Sequence, residues 1–533
     1  MSKYKLLIND DSFHDSDVAL IDDEKMICVL ETERVSKHKH AMYEKGDACA
    51  DYVKKQYNLK DEDVEIVRHA NVKYQQHHEL HAMASYLSSG FDRASILVID
   101  GVGDQDDSVT LFSARGNDLY QLKKYDFKYS LGVLYDVGSV LIYGAPNSEG
   151  KLMGLSCCAE PEYSIPSPIQ YHEDGTVELA IPEEDKNLPL DEALIKYIRT
   201  KFAYLLNNEG YETVINADVY KAKIAATIQW WFTVEVVNIV KYLKSLTPKS
   251  DNLCVCGGCF LNCETNGIID RLNLFKNIYC ISGPADNSIV IGRAQQLLVE
   301  GGAKSTLLTN AYLGPKQDAD FEKLKEVFSI TEQVNGELVS TIAGMHDISK
   351  YDEEWIIKRL KGNKPILWFD GESEFGPRAL GHRSFLANPA TNEMFWKLSV
   401  GIKQREVYRP LAPIVAAELY EDVFNDPHPE NLTAFMLKTV RVKEKWHKLL
   451  KAVIHVNQTA RPQRLCKEEN PALYSLLMKW YEETGLPCLI NTSLNVKNQP
   501  LLENFDDLKS LFTNPAINGK CSVVVNHTLC FDI

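Results

Sequence analysis

Two stretches in the first quarter of the chain repeat one strand pattern, and this repeat constrains the fold more than any other feature. The first is YKLLIND followed by DVALIDDEKMICVLETE, two apolar segments joined at Asp22-Asp23-Glu24-Lys25. The second, ASILVIDGVGDQDDSVTLFSARGNDLYQLKKYDF, again alternates strand-like segments with Asp-Gly and Gly-Asn turns. A third strand and turn, NLCVCGGCFLN, leads into a predicted helix. Helical segments near 47–58 and 80–90 lie between these strands, so we expect layered α/β units.

The length of the chain requires more than one domain. With 533 residues it is too long for a single hydrophobic core. Its apolar and charged fractions, 45% and 25%, are those of a soluble globular protein. The sequence becomes richer in Arg, Pro and aromatic residues from about 345–360 onward. We therefore predict two domains, 1–350 and 351–533.

Charge and cysteine content limit the classes of function. A formal net charge of −16 argues against general coating of nucleic acid but permits a local basic site. The chain runs from MSKY straight into a strand-like segment, and it has no apolar run near the roughly 18 residues of a membrane helix. Thirteen cysteines, an odd number, indicate reduced thiols. We expect a cytoplasmic protein without a membrane partner.

A histidine pair is the first candidate for a metal site. His77 and His81 in HHELHAMASYL are four residues apart, so on a helix both imidazoles share one face. Asp100, at the end of the following strand, could bring a carboxylate to the same point. Such a donor set with open positions suits Fe, Mn or Zn. From these residues alone, a chance spacing remains the alternative.

The cysteines at 254, 256, 259 and 263 fit no usual zinc spacing, and we predict that they are core thiols. Gly257 and Gly258, between them, would permit a nucleotide to approach the backbone closely, or they form a plain turn. His14, in DDSFHDSDVAL, is a candidate general base, with a surface histidine as the alternative.

Basic residues cluster in the second half of the chain. EFGPRALGHRS combines turn-forming glycines with Arg378 and Arg383, and IKQREVYRPLAP carries Lys403, Arg405 and Arg409. Arginine gives forked contacts to phosphate or carboxylate, so we expect an anion pocket rather than a solvated basic loop. Further polar candidates for this pocket are Arg461, Asn491, Ser493 and Asn495.

The order of these motifs resembles one family, the NodU/CmcH-type O-carbamoyltransferases of antibiotic and nodulation-factor biosynthesis. The matching stretches span nearly the whole chain: SFHDSDVALIDD, ETERVSKHKH, HHELHAMASYL, IDGVGD, EGKLMGL, GGCFLN, EFGPRALGHRS, IKQREVYRPLAP, HVNQTARPQ and LINTSLNV. The resemblance implies an N-terminal domain similar to tRNA threonylcarbamoyl transferases, with the two-lobed actin/Hsp70-like (ASKHA) α/β fold. It also implies a C-terminal YrdC-like α/β domain.

The activity implied by the resemblance is carbamoyl transfer in two stages. Carbamoyl phosphate and ATP would give carbamoyl-AMP at the YrdC-like site. The first domain would then pass the carbamoyl group to an acceptor hydroxyl on a small natural product or sugar. The expected metal is Fe(2+) or another divalent ion, and Mg(2+) could accompany ATP.

The resemblance also assigns residues to roles. His14 would lie near the acceptor hydroxyl. The implied metal ligands are His77, His81, Asp100 and Asp286. The implied catalytic residues are His14, Arg378, Lys403, Arg409 and Arg461. The residues expected to bind nucleotide and carbamoyl phosphate are Gly257, Gly258, Asn262, Arg405, Asn491, Ser493 and Asn495.

The sequence departs from the family in two places. Asn457-Gln458 replace the usual Asp-Gly, and Asn287 and Ser288 follow Asp286 where small glycines are usual. These changes bear on how carbamoyl phosphate and phosphate are held.

Three alternatives remain open. The acceptor could be an amine, as in threonylcarbamoylation of tRNA, although both domains in one chain favour an alcohol. It could also be a hydroxymethylated base of a nucleotide or DNA, because seven Lys and Arg lie between Arg441 and Arg464 against one acid. From another class, the chain could be a non-catalytic adenylate-binding protein, but the complete set of metal ligands and basic residues favours an enzyme.

Overall fold

The computed structural model describes residues 3–9, 15–68, 77–103, 106–206, 214–328, 330–334, 337–341 and 346–533. His14 lies outside these residues, so its predicted role stays a prediction. Within the described residues, no helix has both the length and the apolar character needed to cross a membrane.

The first sheet has four strands in the order β3-β2-β1-β4. Strands β1 to β3 form an antiparallel meander, and β4 runs parallel to β1. The bounds of the elements in this lobe are β1 Tyr4–Asn9, β2 Asp17–Ile21, β3 Met26–Glu31, α1 Thr32–Ser36, α2 Asp47–Gln56 and β4 Val64–Arg68.

The second sheet repeats this arrangement with one more parallel strand, in the order β11-β10-β5-β6-β7. Strands β5 to β7 are an antiparallel meander, β10 is parallel to β5, and β11 is parallel to β10. The predicted repeat of strands and the mixed α/β class are therefore confirmed. The strands of this lobe are β5 Arg93–Ile99, β6 Asp107–Arg115, β7 Asp118–Asp126, β8 Ile169–Tyr171, β9 Val177–Leu179, β10 Asn252–Cys256 and β11 Asn277–Cys280.

Helices cover both faces of the second sheet, and one of them also covers one face of the first. The remaining helices of the N-terminal half are α3 His77–Ser89, α4 Leu131–Tyr143, α5 Glu149–Ser156, α6 Leu190–Lys201, α7 Ala203–Leu206, α8 Val214–Leu246, α9 Cys263–Arg271 and α10 Ser288–Glu300. The next helix, α11 Phe321–Phe328, packs on the C-terminal sheet. Helix α3 contacts β5 and β10, α10 contacts β1 and β2, and the two helices pack against each other between the sheets. A Cβ atom at Gly292 on α10 would lie 2.1 Å from the backbone oxygen of Leu80 on α3, so this close helix approach requires glycine.

The C-terminal half is built on one eight-stranded mixed sheet, in the order β14-β24-β23-β15-β16-β22-β17-β21. Its strands and those nearby are β12 Ile330–Val334, β13 Glu337–Thr341, β14 His346–Lys350, β15 Ile366–Phe369, β16 Arg383–Ala387, β17 Ala412–Ala416, β18 Phe424–Asn425, β19 Val440–Val442, β20 Thr459–Ala460, β21 Gln463–Leu465, β22 Cys488–Ser493, β23 Ser522–Val525 and β24 Leu529–Asp532. Because β14 pairs with β24, the sheet begins at His346, just before the predicted boundary between residues 350 and 351.

Both faces of this sheet are covered, which explains the uninterrupted apolar run ILWF in β15. Ile366 and Trp368 pack with helices α12 and α15, whereas Leu367 and Phe369 pack on the other face with α11 and α16. The helices of this half are α12 Glu353–Lys361, α13 Asn392–Phe395, α14 Ala417–Val423, α15 Pro471–Thr484 and α16 Phe505–Phe512.

Candidate functional site

Four predicted ligands meet between the two N-terminal sheets. His77 and His81 lie one turn apart on α3, Asp100 directly follows β5, and Asp286 lies two residues before α10. One ligand atom from each residue lies within 4.8 Å of the other three. The sequence spacing predicted that His77, His81 and Asp100 lie together, whereas Asp286 was implied by the family resemblance.

The contacts within this cluster are short. The Nε2 atoms of His77 and His81 lie 3.1 Å apart, and each is 3.2–3.3 Å from Oδ2 of Asp100. Oδ1 of Asp286 lies 3.6 Å and 3.8 Å from the same two nitrogens. Two imidazole nitrogens and two carboxylate oxygens therefore face one point.

Neighbouring groups fix the orientation of the cluster. Nδ1 of His81 lies 2.8 Å from Oγ of Ser288, which directs Nε2 inward. Oδ1 of Asp100 accepts hydrogen bonds from the backbone N–H groups of Gly101 and Gly258, leaving Oδ2 for the cluster. Burial alone would lower the pKa of His81, but Asp100 and Asp286 raise it well above its usual range.

The donor set fits a divalent transition metal. Mixed imidazole and carboxylate ligands with open positions suit iron, manganese or zinc and do not select among them. A second group of candidate ligands, Asp15, Glu33 and His40, also lies together.

Gly257 has a structural reason to be glycine. Its φ is +98°, and a Cβ atom there would lie 2.2 Å from the backbone oxygen of Ile99. Gly258 contacts Asp100 as described above. The predicted core thiols Cys254, Cys256 and Cys263 are buried and Cys259 is partly buried.

Asn262 caps a helix and belongs to a buried polar network. Its Oδ1 accepts from the backbone N–H of Thr265, so the side chain caps α9. Its Nδ2 donates to Oε1 of Gln229, which uses the amide in a buried polar network. An asparagine after a Gly-Gly turn is well suited to cap a helix, and the nucleotide-binding role of Asn262 stays a prediction.

A cavity of about 130 Å³ lies between the two halves of the chain. Gly154 and Cys263 line it from the N-terminal half. The C-terminal half contributes six of the predicted site residues: Arg378, Arg405, Arg409, Arg461, Asn491 and Ser493. The anion pocket predicted from scattered motifs is therefore one physical cavity.

The cavity concentrates positive charge. Burial lowers the pKa of Arg378 well below its usual range, and the charges of Arg461, Arg409 and Arg405 lower it further. Burial also lowers the pKa of Arg405, and the charges of Arg409 and Arg461 lower it further. Such mutual repulsion is relieved when an anion binds, because its charge offsets that of the guanidinium groups.

Two buried acceptors in the cavity wall have no hydrogen-bond donor. Both hydrogens of the Asn491 amide are used, by the backbone oxygen of Ala379 and by Oε1 of Gln463, which leaves Oδ1 without a partner. Nε2 of His455 donates to the backbone oxygen of Tyr408 at 2.9 Å, so Nδ1 is the unprotonated nitrogen. Nδ1 makes no hydrogen bond of good geometry, although Asn457 and the backbone of Gly154 lie close enough to act on the ring. Burial lowers the pKa of His455, which favours this neutral form.

Lys403 and Asn495 do not line the cavity; they support it. The ammonium of Lys403 donates to the backbone oxygen and Oγ of Ser493 and to Oδ1 of Asn495. Burial lowers the pKa of Lys403 well below its usual range, as do Arg405, Lys39 and Arg409. The predicted catalytic lysine thus positions Ser493 in this structure.

The EFGPRALGHRS segment folds around one carboxylate. Oε1 of Glu374 accepts the backbone N–H groups of Leu380, His382 and Arg383. Arg383 is fully buried and donates to backbone carbonyls, so only Arg378 of the two arginines reaches the cavity.

Sequence reasoning missed His455, which lines the cavity. His455 is the first residue of the motif HVNQTARPQ, but only Arg461 of this motif was predicted as a site residue.

The basic segment from Arg441 to Arg464 forms no α-helix. It contains β19, a 3-10 turn at Glu444–Trp446, and the short strands β20 and β21. Arg441, Lys445, Lys448 and Lys451 are exposed, while Arg461 belongs to the cavity.

Comparison with known proteins gives consistent matches across both halves. Residues 53–295 match the family model "Carbamoyltransferase N-terminus", and residues 357–529 match "Carbamoyltransferase C-terminus". The chain is 30% identical over 478 residues to the uncharacterized protein sll1178 of Synechocystis, covering 82% of this chain and 73% of that protein. It is 28% identical over 449 residues to nodulation protein NolO of Bradyrhizobium diazoefficiens, covering 83% and 77%.

Similarity to solved structures is more distant. The activator of the 2-hydroxyisocaproyl-CoA dehydratase from Clostridium difficile aligns with 57% of this chain and 96% of its own, at 14% identity and a TM-score of 0.33. Full-length HypF in its phosphate- and nucleotide-bound form aligns with 56% of this chain and 55% of its own, at 12% identity and a TM-score of 0.29.

Proposed function

Because the chain belongs to the carbamoyltransferase family, we propose that it makes carbamoyl-AMP from carbamoyl phosphate and ATP and transfers the carbamoyl group to a hydroxyl. The basic cavity is the activation site, in a YrdC-like C-terminal half. The histidine–aspartate cluster, between two ASKHA-like lobes, is the transfer site. The acceptor is an alcohol on a small natural product or sugar.

One observation carries this proposal: the cavity combines clustered arginines with two unpartnered acceptors. Carbamoyl phosphate has an anionic phosphate and a carbamoyl NH2 group. The arginines complement the phosphate oxygens, and Oδ1 of Asn491 with Nδ1 of His455 complements the two N–H bonds. A phosphate group alone could not satisfy these acceptors, because its oxygens are themselves acceptors.

The activation chemistry balances in two steps. Water cleaves carbamoyl phosphate to carbamate and inorganic phosphate. A carbamate oxygen then attacks the α-phosphorus of ATP, the bond to the β-phosphate breaks, and pyrophosphate leaves. Arg378, Arg405, Arg409 and Arg461 offset the charge that builds up as these anions approach one another.

Transfer replaces the bond between the carbamoyl carbon and AMP with a bond to the acceptor oxygen. The acceptor loses its proton to a base, AMP leaves, and the carbamate ester forms. His77, His81, Asp100 and Asp286 would hold the divalent metal, Fe(2+) or another, which when bound neutralises charge on the nucleotide phosphate. His14 remains the predicted base from sequence.

The test compares two acyl phosphates of matched shape. Acetyl phosphate carries a methyl group where carbamoyl phosphate has NH2. With ATP present, we expect pyrophosphate release with carbamoyl phosphate and little with acetyl phosphate. Equal release from both would contradict the role given to Asn491 and His455. Mass spectrometry of candidate alcohols then identifies the acceptor by the mass of one added carbamoyl group.

A further inference from the structure

A row of buried polar side chains crosses the first sheet, outside the sites described above. Asn9 on β1 is directly opposite Asp17 on β2, and Asp17 is directly opposite Glu31 on β3. Directly opposed residues point to the same face, with Cβ atoms about 4.5–5.5 Å apart. Their exposures are 2%, 0% and 7%, so the whole row is shielded from solvent.

The start of α10 closes over this row. Nδ2 of Asn9 donates to the backbone oxygen of Asp286 at 3.4 Å, and Nδ2 of Asn287 donates to Oε1 of Glu31 at 3.0 Å. Asn287 is itself only 6% exposed. These two hydrogen bonds fix the orientation of both side-chain amides through their nitrogens. The amide oxygens of Asn9 and Asn287 take no part in them.

Four buried oxygens in this cluster have no hydrogen-bond donor. They are Oδ1 of Asn9, Oδ1 of Asn287 and both carboxylate oxygens of Asp17. Leaving one such group unsatisfied typically costs about 1–3 kcal/mol, and more for a charged group. Buried polar groups of folded proteins are usually satisfied, so these four oxygens call for a partner.

Like charges act most strongly on Asp17 among the described residues. They are the carboxylates of Glu31, Asp15, Glu33 and Asp286. The buried guanidinium of Arg34 is paired with Glu31. A bound cation would supply the missing charge and occupy the unused lone pairs together.

We propose that Asp17, Asn9 and Asn287 form an oxygen-lined cation site, separate from the histidine cluster. All its donors are hard oxygens, which select Mg(2+), Ca(2+) or a similar hard divalent ion rather than a metal that prefers imidazole. The bound ion holds the start of α10, and with it the Asp286 loop, against the first sheet. The competing explanation is a proton on Asp17.

Calcium binding tests the proposal without using activity. The protein is the full chain carrying His81→Ala, a substitution that removes one ligand of the histidine cluster. A chelator first strips bound metal. Binding of Ca(2+) is then measured by calorimetry, and its effect on Tm by thermal unfolding. We expect one Ca(2+) per chain and a rise in Tm. Adding Asp17→Asn, which is nearly isosteric, should abolish both responses. Adding Asp23→Asn, which removes the same charge from the exposed β2–β3 turn, should leave both unchanged.

Asn9→Ala provides a second variant that keeps the carboxylate, and it should raise the Kd for Ca(2+). The proposal is overturned if the His81→Ala protein binds no Ca(2+), as expected for a protonated Asp17. It is also overturned if binding survives Asp17→Asn. Because neither readout involves carbamoyl transfer, failure here is distinguishable from failure of the proposed function.

Discussion

The guanidinium of Arg34 donates a 2.7 Å hydrogen bond to the backbone oxygen of Gly376, joining the first lobe to the C-terminal half. The same group donates to the backbone oxygen of Glu374 at 3.1 Å and pairs with Glu31. Gly376 lies two residues before Arg378. Arg34 therefore holds the backbone next to a cavity arginine, although the two segments are 342 residues apart in the chain.

Replacing Arg34 should weaken both folding and binding. Arg34→Met leaves Glu31 buried without its partner, and breaking a buried pair costs about 3–5 kcal/mol. We expect a lower free energy of unfolding in urea and a higher KM for carbamoyl phosphate. Arg115→Met, at an exposed strand end, is the control and should change neither. An unchanged KM would show that Gly376 does not need Arg34 to position Arg378.

Replacing His455 should affect one substrate and spare the other. His455→Phe keeps the ring volume and removes the Nδ1 acceptor, a loss of about 1.4 kcal/mol or roughly tenfold. We expect the KM for carbamoyl phosphate to rise roughly tenfold and the KM for ATP to stay unchanged. His447 makes the same contact to a backbone oxygen, that of Val442, but does not line the cavity. His447→Phe should leave both values unchanged; a matching rise in that variant would refute the assignment.

Glu503 should make stability depend on pH. Burial raises the pKa of Glu503 from 4.5 to about 7, although Arg383 opposes the shift. The folded state then binds more protons than the unfolded state between those values, so stability is full at low pH and declines as pH rises to 7. The contribution is about 3 kcal/mol.

Urea unfolding from pH 5 to 8 measures this effect. Glu503→Gln should flatten the decline relative to wild type, whereas Glu482→Gln, at an exposed position, should reproduce the wild-type curve. Parallel curves for wild type and Glu503→Gln would mean that Glu503 ionises normally in the folded protein.

Gln458 should be a strained position. Its φ is +63°, a left-handed conformation that costs a residue with a side chain about 1–2 kcal/mol. The carbamoyltransferase family that the sequence resembles usually has glycine at the position of Gln458. We expect Gln458→Gly to raise the free energy of unfolding by about 1 kcal/mol, less the entropy that glycine adds to the unfolded chain. A destabilised variant would mean that the glutamine side chain makes up for the strain.

Local patterns predicted the parts of the sites that depend on short spacings. The His77–His81 pair and the strand-end Asp100 could be read from sequence because helix and strand periods fix their directions. The contact of Arg34 with Gly376 could not, because it joins the two halves of the chain. The contact of His455 with Tyr408 could not either, because it joins separate segments of the C-terminal half. Asn262 caps α9 in this structure, and its role in nucleotide binding stays a prediction.

The central claim is that activation and transfer occur at different sites, and mass spectrometry of both products tests it most directly. Wild type and His81→Ala are incubated with carbamoyl phosphate, ATP and an accepted alcohol, and carbamoyl-AMP and carbamoylated alcohol are quantified. We predict that His81→Ala loses the metal, still forms carbamoyl-AMP and makes almost no carbamoylated alcohol. Arg409→Ala should form neither. Equal loss of both products in His81→Ala, with the fold intact, would contradict the account.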